Sequence, residues 1–235
     1  MKLTRPVRFV YFDLDDTLLD HSYAEHAALQ ALHAAEDRPF GTHTFDTVLA
    51  AYRVINPVVW QRYASGAYTK HQAKVGRFSQ LLERLTLPTD TDEQLAHRYL
   101  QTYATFWRPV MGAMEAFQAI ADHVPVGILT NGFVEVQQAK LRQFSMLSDL
   151  SATIVISEEV GVLKPDPRLF SEAAARAATR PEDILYVGDS LTSDVHGSLG
   201  AGWQVAWYAG DPFDHPDVVS FSAWDQLTAL VREGS

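Results

Sequence analysis

The chain has 235 residues, with 29 Asp and Glu against 19 Lys and Arg, a formal net charge of -10 and no cysteine. That length holds one full α/β domain plus a smaller companion, the acidic surplus argues against a nucleic acid polymer as partner, and disulfides, thiol nucleophiles and thiolate metal sites are excluded. A 47% hydrophobic share with 20% charged residues marks an ordered globular chain; with no signal-peptide pattern and no membrane-length apolar run, a cytoplasmic protein without a membrane partner is expected.

The first element is the most informative. Residues 7–12 form an apolar, β-rich run that stops at two carboxylates, Asp13 and Asp15, followed by Thr17. A strand that delivers acids to its own C-terminal end does so where open α/β sheets bind ligands. Residues two apart in extended geometry project to one side, so both carboxylates can face one bound group. Two acids that close repel unless a cation lies between them or one holds a proton. The segment is therefore read as a hard-metal site, as nucleophile-plus-acid chemistry, or as a strand running into a polar turn.

Four helical stretches follow, near 21–36, 43–63, 69–84 and 91–107, divided by Pro39-Phe40-Gly41, Ser65-Gly66 and Pro88-Thr89-Asp90. From Pro109 onward, strands near 124–129, 152–156, 184–187 and 204–207 alternate with helices near 111–121, 133–143, 167–178 and 191–200. An irregular loop over 211–220 precedes a possible edge strand at 218–221. Repeated β-α units predict a Rossmann-like parallel sheet with helices on both faces, built from residues 1–19 and 109–235. Residues 20–108 are predicted as an all-helical module inserted after the first strand, where a lid belongs.

The later strand ends carry chemistry too. Thr130-Asn131-Gly132 offers a hydroxyl, an amide and a flexible residue before a helix, a combination suited to phosphate. Lys164 stands before Pro165, with Asp166 and Pro167 as N-cap and first helical residue, and is placed to neutralise an anion. Val187-Gly188-Asp189 ends the next strand, with Asp194 five residues beyond Asp189. Singly, each reads equally well as a turn, a surface charge or a helix start. In order, at matching strand ends of one sheet, they meet the geometric test for an active site.

Asp13-Leu-Asp-Asp-Thr17, Thr130, Lys164 and Asp189 with Asp194 resemble the four motifs of the haloacid dehalogenase-like hydrolase superfamily. Within it, Ile55-Asn-Pro-Val-Val-Trp60, Gly66-Ala-Tyr-Thr69, Gly76-Arg-Phe78, Thr130-Asn-Gly-Phe133 and Ile156-Ser-Glu-Glu-Val-Gly161 are similar to stretches of bacterial pyrimidine 5′-nucleotidases. The resemblance implies a Mg²⁺-dependent phosphohydrolase that works through an aspartyl-phosphate on a small phosphate ester, a nucleotide in this branch. It implies Asp13 as nucleophile, Asp15 as acid then base, and Asp13, Asp189 and the Asp15 carbonyl as metal ligands. Thr130, the Asn131 backbone and Lys164 would hold the phosphoryl oxygens, and Asp194 would orient Lys164 or a metal-bound water. An acid at position 15 favours ester cleavage over dehalogenation, since a halide leaves without a proton. A non-catalytic binding module on the same fold is the reading of a different class.

In the helical module, Arg77 is the candidate substrate contact, while Trp60, Tyr63, Tyr68 and Phe78 at helical spacing fit a core as well as a base-stacking site. Thr17 is expected to fix the turn. Asp16 receives no role, and His21 and His26 are expected at the surface.

Overall fold

The computed structural model describes residues 3–208 and 211–234, which form two compact units, residues 1–20 with 108–235 and residues 21–107. In the first unit six parallel strands form one sheet: β1 (Phe9–Phe12), β2 (Val126–Thr130), β3 (Ser151–Ile156), β4 (Ile184–Gly188), β5 (Gln204–Tyr208) and β6 (Val218–Phe221). The order β3-β2-β1-β4-β5-β6 is doubly wound, and the winding reverses between β1 and β4. Phe12 pairs with Ile128 of β2 on one side and Val187 of β4 on the other, so the chain emerges from β1 beside both neighbouring strand ends.

The second unit is helical: α1 (His21–His33), α2 (Phe45–Ala64), α3 (Lys70–Arg84) and α4 (Asp92–Thr105). Thr44 and Thr69 start α2 and α3 by accepting a backbone N–H bond, and Gln72 completes a capping box with Thr69. The remaining helices belong to the sheet unit: α5 (Ala113–Ala121), α6 (Val134–Gln143), α7 (Ser145–Leu150), α8 (Ser157–Val160), α9 (Pro167–Ala177), α10 (Gly197–Gly200) and α11 (Trp224–Gly234).

Both sheet faces are covered, which is why the strands read as unbroken apolar runs. Val10, Phe12, Val126, Ile128, Leu185 and Val187 bury one face with residues of α5, α6, α7 and α11. Phe9, Tyr11, Leu129, Val155, Ile184 and Tyr186 bury the other, largely against Leu169, Phe170 and Ala173 of α9. Helix α11 has no counterpart in the sequence reading, although Trp224, Leu227, Leu230 and Val231 sit on one helical face and are all buried. Helix α7 is missed because it is short. The helix expected over 191–200 begins as a wider π-type turn, Leu191–His196, before α10. No helix among the described residues is long and apolar enough to cross a membrane.

Candidate active site

The strand ends at the winding reversal carry the predicted residues. Asp13 continues β1, with its backbone N–H donating to Val187 O at 2.8 Å, which fixes it beside the end of β4. Lys164 precedes α9 and is buried. Its ammonium donates to Asp13 Oδ1 at 2.7 Å, Asp194 Oδ1 at 2.7 Å and the Tyr186 hydroxyl at 2.6 Å. Asn131 holds the Lys164 backbone in a reciprocal pair, accepting from Lys164 N at 2.8 Å and donating to Lys164 O at 3.1 Å. The loop after β2 is thereby tied to the loop before α9.

Asp189 follows β4, and Thr17 Oγ1 donates to its Oδ1 at 3.2 Å. Thr17 is fully buried, so besides holding the turn it reaches a predicted site carboxylate. Asp194 is also fully buried: Oδ1 accepts from Lys164, and Oδ2 accepts the Ser190 N–H at 3.0 Å. The π-type turn provides this register, a common use of such turns at functional sites. Gly188 makes room for it. A Cβ at residue 188 would stand 2.4 Å from Asp194 Oδ2. Gly188→Ala is therefore expected to cost about 1–3 kcal/mol by overpacking and to displace the Asp194–Lys164 pair. A thermal melt and a turnover assay on the same preparation would check both effects, and an unchanged melt would show that Asp194 yields freely.

One carboxylate oxygen from each of Asp13, Asp189 and Asp194 lies within 4.8 Å of the others. Such an all-oxygen set suits a small hard cation. Protein donors occupy both oxygens of Asp194, whereas among the described residues Asp13 and Asp189 each keep one oxygen without a donor. The free donor capacity thus falls on Asp13 and Asp189. Burial pushes the Asp13 carboxyl well above its usual range, with Asp194 and Asp189 adding to the rise and Lys164 opposing it. Burial, then Asp194 and Asp16, push Asp189 up to about 7 against the pull of Lys164 and Thr17. Burial alone would lower Lys164, but Asp13 and Asp194 outweigh it and hold the ammonium above its ordinary value. A site with this much concentrated negative charge favours a proton or a cation.

Asp15 lies in a turn and not in continued strand. The extended backbone ends after Phe12, and the chain folds back through an Asp15–Leu19 bridge with Asp16 in the left-handed region at φ 59°. Asp16 thus acquires a role, since Asp tolerates that conformation better than most residues. The Asp15 carboxylate is bonded from α6: Lys140 Nζ is 2.5 Å from Oδ1 and Gln137 Nε2 is 2.9 Å from Oδ2. Gln137 also reaches Thr130 Oγ1 at 2.8 Å. Neither α6 residue was singled out from sequence. Their i, i+3 spacing on one helical face was the available signal, but polar residues on a helix ordinarily read as its solvated side. Tyr186, read only as a strand residue, was missed similarly. Its hydroxyl donates to Leu129 O at 2.8 Å while accepting from Lys164. The Ile156–Gly161 stretch supports the loop after β2: Ser157 Oγ accepts the Gly132 N–H at 3.1 Å and Glu158 accepts the Val134 N–H at 2.7 Å.

Arg77 belongs to the helical unit. It is buried, with Nη1 donating to the Tyr52 hydroxyl at 3.3 Å and its guanidinium 5.1 Å from the Tyr99 ring centre. Phe78 is fully buried beside Tyr52 and Tyr99, whereas Trp60 and Tyr68 are half-buried. His21 bonds the Tyr103 hydroxyl at 2.7 Å, and His26 packs edge-on against Phe45.

A doubly wound parallel sheet with acids after β1 and β4, a hydroxyl at the end of β2 and a buried lysine before α9 defines a class of α/β hydrolases. The chain belongs to the haloacid dehalogenase-like hydrolases, whose family profile matches residues 7–202. It is similar to pyrimidine 5′-nucleotidase YjjG of Escherichia coli, 30% identical over 213 residues that cover 90% of each chain. Glyceraldehyde 3-phosphate phosphatase of Methanopyrus kandleri is 31% identical over 202 residues, covering 83% of this chain and 81% of the relative. Among solved structures, the HAD-hydrolase YfnB of Bacillus subtilis, bound to magnesium, superposes with a TM-score of 0.81 at 27% identity, covering 97% of this chain and 99% of that one.

Proposed function

We propose that the protein is a Mg²⁺-dependent phosphomonoester hydrolase that acts through an aspartyl-phosphate, with nucleoside 5′-monophosphates, pyrimidines foremost, as substrates. The observation that carries the reading is the Lys164 ammonium held between Asp13 and Asp194, with Thr130 at the end of the neighbouring strand β2. A nucleophile, an anion-binding cation and a phosphoryl-oxygen donor thereby share one strand-end edge. Asp13 attacks phosphorus, the ester P–O bond breaks, and Asp15 gives its proton to the departing alkoxide. Asp15 then takes a proton from the water that attacks the phospho-enzyme, which frees Asp13 and releases phosphate. Thr130, the Asn131 backbone and Lys164 bind the oxygens over which charge spreads. Asp13 and Asp189, with the Asp15 carbonyl, would hold magnesium, which would neutralise charge on Asp13 and on the phosphoryl group.

Support for the nucleotide preference comes from the similarity to YjjG and from the sequence stretches of the helical module. The second reading, a phosphatase for sugar phosphates or phosphoglycolate, draws on the comparably similar glyceraldehyde 3-phosphate phosphatase. A panel of phosphate esters assayed with Mg²⁺ separates the two. Pyrimidine nucleotides with the highest kcat/KM support the first reading, and a sugar phosphate with the highest value replaces it by the second.

The strand-end residues see only the phosphoryl group, so discrimination among leaving groups falls to the inserted helices. Arg77→Ala is expected to narrow the kcat/KM gap between pyrimidine nucleotides and nitrophenyl phosphate. It is also expected to lower the melting temperature, because the guanidinium packs against Tyr52 and Tyr99 inside the unit. A lowered melt with an unchanged gap would assign Arg77 to packing alone.

A further inference from the structure

Asp15 is asked to move a proton in both chemical steps, and it lies in the turn that follows β1. Its carboxylate is gripped from α6 by two side chains that are almost wholly buried, Lys140 at 2% and Gln137 at 1% exposure. An ammonium and a primary amide are costly to bury, so their enclosure requires partners of this kind. Gln137 Nε2 lies 2.9 Å from Asp15 Oδ2, 2.8 Å from Thr130 Oγ1 and 3.0 Å from Asn131 O. An N–H donated to the Thr130 hydroxyl fills one of its lone pairs, while the hydroxyl itself donates to Asn131 O at 3.3 Å, so Gln137 fixes the direction of that O–H. Turning the amide over would set Gln137 Oε1 against a carboxylate. In the orientation present, that oxygen is buried without a partner. The loop after β2 has cleared space for this side chain, because a Cβ on Gly132 would stand 2.8 Å from it.

We propose that Gln137 and Lys140 are positioning residues that set the Asp15 carboxylate for proton transfer and couple its placement to that of Thr130. One face of α6 then aligns the proton donor with the phosphoryl-binding hydroxyl. The inference rests on the phosphatase reading, in which Asp15 serves as acid and base.

A double-mutant cycle between Lys140→Met and Asp15→Asn tests it, read as kcat/KM with Mg²⁺ for nitrophenyl phosphate and for a nucleoside 5′-monophosphate. This ratio reports the step that breaks the ester bond. Lys140→Met is expected to lower it about a hundredfold for the nucleotide, the scale of a misplaced catalytic group, and far less for the aryl ester, which scarcely needs an acid. Combined with Asp15→Asn, it is expected to add no further loss, because it acts only through Asp15. Losses that multiply in the double variant, or that are equal for both esters, overturn the proposal while leaving the phosphatase reading intact. A wild-type protein inactive on every ester overturns both. If Lys140→Met does not fold, Gln137→Glu carries the same cycle: it preserves shape but sets like charge against Asp15.

Discussion

Asp13→Asn is expected to give a folded protein with no measurable turnover and no phospho-enzyme. An amide oxygen is a poor nucleophile, and no other described carboxylate combines the Lys164 contact with a free oxygen. Rapid quenching after mixing with a labelled phosphate ester reads both quantities, and label retained on the Asn variant would move the nucleophile elsewhere. Asp15→Asn is expected to behave differently. Its kcat/KM falls by about 10²–10⁴-fold for alkyl esters, the usual scale of acid catalysis, but little for a nitrophenolate leaving group. Equal losses for both classes would remove Asp15 as the acid.

Removing divalent metal is expected to be equally severe. Chelation abolishes hydrolysis of an aryl phosphate and Mg²⁺ restores it, because Asp13, Asp189 and Asp194 crowd negative charge into one set. The same crowding fixes a pH dependence. With the Asp189 carboxyl raised to about 7, a proton competes with the cation below that pH and not above it. Apparent Mg²⁺ affinity then weakens by about tenfold per pH unit below 7 for each competing proton. Titration calorimetry at several pH values measures this, and a flat profile would remove Asp189 from the ligand set. Full activity in chelator would remove the metal.

The parts legible in sequence were those where local chemistry and strand ends coincide. Asp13, Thr130, Lys164 and Asp189 each follow an apolar run of strand length, and a parallel sheet brings such positions to one edge whatever the details of packing. Gln137, Lys140 and Tyr186 escaped because their roles depend on which face a helix or strand turns inward. Polar side chains resemble a solvated face until a buried partner is seen, and the partner of Lys140 lies 125 residues away. The turn after Asp15 escaped for a different reason: a left-handed Asp16 cannot be told from an extended one by residue type alone. For α11, the apolar spacing was present, but no later strand marked the segment as part of the β-α alternation.

The two segments that join the sheet unit to its helical insert run side by side. The Asp20 N–H donates to Arg108 O at 3.0 Å and Val110 N–H to Leu18 O at 2.9 Å, and Arg108 Nη2 clasps Asp20 Oδ2 at 2.6 Å. Residues 20 and 108 thus already stand where the two ends of a tight turn would stand. The insert is a graft at a closed seam: a longer, shorter or unrelated insert can leave from the same two residues without disturbing one sheet hydrogen bond.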